Sequence, residues 1–445
     1  MRKAFKKLWN DDRGNMLVIA GVAMPMLMGA AGLATDTIQW SLWKRELQRA
    51  ADSAAIAGVY DRVQADGSTT NTTNAVNRDL ELNNHAGDGL ALLATYPKIT
   101  FPADSADGTL QDQVNVELAV QKRLSFSGMF MDAAPVIKAR ATAATVPGGD
   151  TYCVIGLDED PAASGITIAG STHLDLGDCS LIANSKNKVN AVDNNGNGSW
   201  VKAKSLAAGG AVEHSKSDRW DVDSYDPYST PAADPLAAPK LPIPATCDKT
   251  ISISNKSKDY PINRKTSGED DGKTVCISGD VTVKGALTLG SGTYVIDSGN
   301  LRMTESGASL KCDLCTIILT DKTGAESIGN FDLSGGTLDI TAPTAEGHPF
   351  RGVALYQDRR AESDGSKNEN HVNGNGTVGV QGAIYTPGRS ILYNGGGDLT
   401  AVCMLVIGLQ VQFSGSSAIK AANHPDCVNL GIPQSAGPRP IRLVA

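Results

Sequence analysis

From Asn15 to Ala34 the chain carries no charged side chain, and nothing else in it constrains the fold as strongly. About 20 helical residues at 1.5 Å each span roughly the 30 Å hydrocarbon core of a bilayer. Pro25, in the middle of the run, would cost a soluble helix about 3 kcal/mol. A membrane helix tolerates it, because neighbours and local readjustment re-satisfy the freed carbonyl. Arg2, Lys3, Lys6, Lys7 and Arg13 precede the run, against Lys44, Arg45 and Arg49 just after it. That basic excess favours a cytoplasmic amino terminus with the remainder outside. Residues 1–14 thus read as a cytoplasmic stub and 15–34 as a transmembrane helix. A cleaved signal peptide is the rival, since "GLA" before Thr35 offers small residues to a peptidase, but its apolar region is typically only about 7 to 15 residues.

Ile38, Leu42, Leu47, Ala51, Ala54, Ala55 and Gly58 recur at helical spacing, so the helix is expected to continue to about Gln64. The small-residue stripe "AADSAAIAG" would let another backbone approach closely. It reads equally well as the buried face of a helix lying on its own domain.

"RGNMLVIAGVAMPMLMGAAGLATD" followed by "LQRAADSAAIAGV" resembles the amino-terminal module of the TadE/TadG-like proteins of the tight-adherence (Flp) pilus-assembly system. The residues that carry the resemblance are Arg13, Gly14, Asn15, Pro25, Gly32 and Asp36, then Leu47, Ala50, Ala51, Asp52, Ala54 and Ala55. "QVNVELAVQKRLSFSGMFMDAAPVIKARATAATV" also resembles the family, as a strand, a short amphipathic helix and a strand that complete a pilin-like module over 35–147. In type IV prepilins cleavage follows a glycine and the mature chain has glutamate at its fifth position. If Gly14 were that glycine, the fifth position would be Ile19. The resemblance therefore implies a membrane-anchored accessory subunit, with other pilin-like or Tad secretion components as partners, in place of a polymerising pilin. The Asp-x-Ser-x-Ser metal motif of the larger relatives is absent from the sequence.

Past "VPGGD" the texture changes. Aromatic residues make up only 5% of the chain and glycines number 47, which favours many short strands joined by turns. Segments such as "GITIAGSTHLDLGDCSLIANS" and "GDVTVKGALTLGSGTYVIDSGNLRM" repeat three- to five-residue apolar alternations at roughly 20 residues per turn, the pattern of a β-solenoid. The expected architecture is an α+β amino-terminal module with a long transmembrane helix, followed over 148–430 by a right-handed parallel β-helix-like solenoid. A β-sandwich is the alternative. The proline-rich, aperiodic stretch 221–247 reads as a linker or a strap over the solenoid flank, and 431–445 as a tail.

A net charge of −8 gives no general attraction for nucleic acid. The eight cysteines suit disulfides in an exported chain. Nearness in sequence suggests Cys153 with Cys179, Cys247 with Cys276, Cys312 with Cys315 and Cys403 with Cys427, among 105 possible connectivities. Zinc at "CDLC" lacks a second cysteine pair or spaced histidines, and no cofactor is expected. Because β-helices also carry polysaccharide lyases and hydrolases, clustered carboxylates with a basic residue were sought. Asp358, Arg359 and Arg360, with His371 and Asp364 nearby, are the candidates, and an Asp-Arg pair at a strand end reads more simply as a salt bridge. The sequence thus points to a non-enzymatic subunit for pilus assembly and adhesion at the bacterial inner membrane, its bulk periplasmic or at the cell surface. Its ligand would be a surface polysaccharide or a host or abiotic surface. A membrane-anchored carbohydrate-active enzyme and a secreted adhesin are the alternatives.

Overall fold

Helix α1 runs unbroken from Asn15 to Gln64. Its first half is apolar on all sides, whereas its second half carries one apolar stripe, Leu47, Ala51, Ala54, Ala55 and Val59, in which every residue is buried. The computed structural model describes residues 15–64, 69–83, 91–148, 151–213, 217–237, 242–252, 269–324, 327–363, 365, 370–374, 378–395, 399–415, 418–422, 427, 429–432 and 439–444. The chain divides into two units, Met1–Val146 with Ile441–Ala445, and Pro147–Pro440. The expected stub 1–14, with Arg13 and Gly14, lies outside the described residues, as does Asp364.

In the first unit α1 and α2 (Thr69–Leu82) accompany a four-stranded antiparallel sheet. Its order is β1 (Lys98–Thr100), β2 (Gln111–Gln121), β3 (Val136–Thr145) and the terminal strand Ile441–Leu443. Period-2 alternation puts Val114, Val116, Leu118 and Val120 of β2 on one face, joined there by Ile137, Ala139, Ala141 and Ala143 of β3. That face, the α1 stripe and Val76 of α2 form one core, in which each large side chain contributes about 1.5–3 kcal/mol. A Cβ on Gly58 would stand 2.8 Å from Val76 and 2.9 Å from Val114. The small-residue stripe therefore serves close packing within this unit, which decides between its two readings. Two expectations need correction. The short amphipathic helix is a single 3-10 turn, Ser127–Met129. The tail contains a strand, because β3 has an open edge and Ile441 packs onto the same core.

In the second unit every strand pair among the described residues is parallel. Val275, Tyr294, Ile317, Leu355, Ile384, Val406, Val154, Leu181 and Leu206 pair in succession. All of them enter one interior core. Two further stacks line the same interior, one through Leu289, Cys312, Ile340 and Val380, the other through Val281, Leu301 and Phe331. Roughly 20 to 40 residues separate successive partners in these stacks, except where Val406 pairs with Val154. The parallel stacks are consistent with a β-helix-like fold and differ from the antiparallel sheets of a sandwich.

The stacking order is not the chain order. Tyr152–Gly156, the first strand of the unit, pairs with Met404–Gly408 on one side and with Ser180–Ala183 on the other. The chain therefore enters mid-stack, builds one end as far as Trp220–Pro227, then restarts at Lys249–Ser252 on the opposite end. The stretch 221–247 is not aperiodic throughout: Trp220–Pro227 is a strand on Trp200–Ala208, since Trp220, Val222 and Tyr225 reach the interior core. Its aspartates hide the alternation.

Beyond that strand the segment crosses the outer face of the main stack. Asn184 exchanges two hydrogen bonds with the backbone of Ala232, at 2.8 and 2.9 Å. Asp234 accepts the Tyr385 hydroxyl at 2.8 Å, and Cys247 is bonded to Cys276. Ala232, Leu236 and Ile243 cover a second apolar layer made by Ile155, Ile182, Val295, Ile318, Tyr356 and Tyr385. Strands covered on both faces read as continuous apolar runs, as "YCVIG" and "CTIILT" do.

Candidate functional site

The first site is the amino-terminal half of α1. Met26 and Leu27 are 72% and 68% exposed, and Ile19, Val22, Met24, Met28, Leu33 and Ile38 are exposed with them. Pro25 lies inside the helix without ending it. An apolar surface of this extent on a protein marks a membrane or a partner, and α1 is long and apolar enough to cross a bilayer. Within this exposed stretch Asp36, itself buried, ties α1 to the loop between β2 and β3. Its carboxylate accepts the Phe126 amide at 2.8 Å and both the amide and the hydroxyl of Ser127. Burial works against its ionisation, yet these donors outweigh burial and hold the carboxyl below its ordinary range. Gly32 lacks a side chain where the Phe126 ring approaches α1. Asp52 accepts from Gln48 at 2.8 Å, one turn back, while Ala50 packs at the edge of the core.

The second site is the polar cluster of the other unit. Asp358 is buried at the end of strand Val353–Gln357 and accepts from Thr320 Oγ1 and Arg360 Nη2, both at 2.7 Å. Burial raises its pKa, but the Arg360 guanidinium and these hydrogen bonds bring it below the ordinary carboxylate range. Arg359 turns elsewhere, pairing with Asp234 and lying over the Tyr385 ring at 5.3 Å. Burial, then the neighbouring Asp234, raises the Tyr385 pKa, and burial pushes Tyr356 up to about 12. His371 sits on strand Asn370–Gly374 with its Nε2 buried and, among the described residues, without a hydrogen-bond partner. The two segments abut, since Gln357 and Asn370 bond at 3.1 Å. His371 is nonetheless not among the partners of Asp358. Asp358 is engaged by Arg360 and Thr320, while Arg359 helps to hold the strap.

Four disulfides join Cys153–Cys179, Cys247–Cys276, Cys312–Cys315 and Cys403–Cys427. The "CDLC" thiols are consumed in one of them, so they offer no thiolates to zinc. A further feature went unread in the sequence. Gly279-Asp280, Gly299-Asn300 and Gly329-Asn330 precede successive strands of one parallel stack, Asp280 accepting from Asn300 and Asn300 from the Asn330 amide, each at 2.9 Å. A Cβ on Gly299 would collide with the Gly279 carbonyl, and one on Gly329 with the Gly299 carbonyl. The recurring Gly-Asp/Asn pair before an alternating strand was the available signal.

Residues 14–64 match the Flp pilus-assembly TadE/G-like family. This segment is similar to a TadE/G-like domain. The match covers all of α1, so the likeness takes in both the exposed apolar half and the packed stripe. Among solved structures, the crystal structure of the competence-associated pilin ComZ from Thermus thermophilus is similar at 11% identity, covering 87% of this chain and 96% of that one. Its TM-score of 0.24 is too low to carry an argument about the fold. No curated protein matches the chain.

Proposed function

We propose that this chain is a single-pass, membrane-anchored accessory subunit of a Flp-type pilus, non-enzymatic, with its bulk outside the cytoplasm. The observation that carries the reading is α1 itself. It is a TadE/G-like helix with no charge from Asn15 to Ala34, largely exposed from Ile19 to Ala34 and packed on its own sheet over its second half. The basic residues before the run orient it with the amino terminus in the cytoplasm, and four disulfides suit an oxidising compartment. In this reading the second unit is a right-handed β-solenoid, stiffened by disulfides, that presents a surface for adhesion to polysaccharide or to a host or abiotic surface. Its partners on the membrane side are pilin-like subunits and the Tad secretion machinery.

The test is deletion of the gene in the native bacterium, followed by complementation with the full chain. Loss of pili and of surface attachment, restored by the wild type and not by a chain with Leu27→Glu and Met28→Glu, supports the proposal. Intact piliation without the protein overturns the assembly role. A mature amino terminus at Thr35 would favour a released adhesin. Polysaccharide cleavage lost in Asp358→Asn or His371→Ala, with the fold intact, would favour an enzyme.

A further inference from the structure

The loop between β2 and β3 carries three large apolar side chains in a row that the first unit leaves uncovered. Met129 is 76% exposed, Phe130 74% and Met131 47%. Such a loop is normally excluded from water, yet this one is held firmly in place. Asp36 of α1 accepts from the Phe126 amide and from Ser127, and Ser125 Oγ donates to Gln39 Oε1 at 3.0 Å. Arg123 closes the loop through the Gly128 carbonyl at 2.9 Å, and the Phe126 and Phe130 rings meet edge to face at 5.3 Å. The three α1 residues that hold the loop, Gly32, Asp36 and Gln39, bracket the end of the uncharged run at Ala34. At 1.5 Å per residue, Gly32 lies about 3 Å inside that end and Gln39 about 7 Å beyond it.

We propose that the loop 125–131 is a second membrane contact, a foot of Met129, Phe130 and Met131 seated in the outer headgroup region beside α1. The inference rests on the reading that residues 15–34 span the bilayer. Lipid is the occupant the surroundings favour. The apolar loop is continuous with the lipid-facing end of α1, and Trp40, 43% exposed, stands at the same level. Lys122 lies over the Trp43 ring at 5.3 Å. Tryptophan and lysine at the end of an apolar run are the composition of a membrane interface. A membrane helix alone leaves the attached domain free to tilt, and a foot fixed to the helix by Asp36 would set its angle to the membrane plane.

The test uses the full chain, with its native disulfides kept oxidised, in nanodiscs of phosphatidylethanolamine and phosphatidylglycerol. Single added cysteines at Phe130→Cys, Leu27→Cys and Val189→Cys carry an environment-sensitive fluorophore, and brominated acyl chains act as quencher. Val189 is exposed on the other unit and serves as the water reference. The expected result is strong quenching at 27 and at least twofold more quenching at 130 than at 189. Adding Met129→Asp should bring position 130 down to the reference while 27 is unchanged. Quenching at 27 with none at 130 overturns the foot and leaves the span standing. Absence of quenching at both positions overturns the span and the foot with it. If label 130 is unquenched by lipid and becomes shielded only when pilin-like subunits are added, the loop is a protein contact and the proposal falls.

Discussion

The two units solve one problem, what to place on the faces of a sheet, in different ways. In the first, an antiparallel sheet gives one face to α1, so β2 and β3 alternate apolar and polar residues. In the second, the main parallel stack is buried on both faces, by the interior core on one and, on the other, by the strap together with Phe350, Cys427 and Ile432. One sheet is stabilised by a helix continuous with the exposed apolar run, the other by an extended segment with few apolar side chains of its own. The second arrangement depends on what pins that segment down.

The sharpest test of the difference compares neighbours on one strand. Leu181→Ala and Ile182→Ala should each cost about 2–5 kcal/mol in urea unfolding, since they face the inner and the outer layer respectively. An Ile182 cost below about 1 kcal/mol would mean that the outer face is wet and would break the comparison. Leu118→Ala should cost a similar amount, confined to the first unit. Replacing Cys247 and Cys276 by serine should cost about 3 kcal/mol, because the bond closes a sequence separation of 29. Hydrogen exchange should rise along the strap and leave β2 unchanged. Tyr385→Phe removes one donor to Asp234 while Arg359 keeps the other, so a loss of about 1 kcal/mol is expected.

The smallest effect is acidic. Asp321, in the turn after Cys315–Thr320, accepts from the Thr323 hydroxyl and amide and the Ser327 amide, and these bonds lower its pKa to about 2. A depressed folded-state value stabilises the turn fully above the unfolded value near 4, and that contribution fades as pH falls from about 4 to 2. Asp321→Asn should flatten this part of the stability profile of the second unit, measured by circular dichroism during acid titration.

What could be read from the sequence was local. Helical spacing from Ile38 to Gly58 carried α1 to Gln64, and alternation in "VTVKGALTL" gave strands of the right kind. What failed was non-local. The hydrogen bonds from Phe126 and Ser127 to Asp36 cross some 90 residues, so the carboxylate's role had no signature beside it. The mid-stack entry at Tyr152 was hidden because each strand of the stack offers much the same Val, Ile and Leu ladder to any neighbour, and nothing in one strand names the next. Strand Trp220–Pro227 was masked by its outward aspartates and by the prolines that follow it. Of the candidate catalytic residues, Asp358 pairs with Arg360, while Asp358 and His371 are brought near each other only as neighbours of a bonded pair, Gln357 and Asn370.

Thr145 at the end of β3 lies directly opposite Ile441 in the pairing that returns the chain to the first unit. Antiparallel partners stand only about 5 Å apart, a gap that a two-residue hairpin turn can bridge. The 294 residues from Pro147 to Pro440 are therefore a cassette. They can be exchanged for another payload, or cut down to a short turn, while the first unit keeps its own strand pairing.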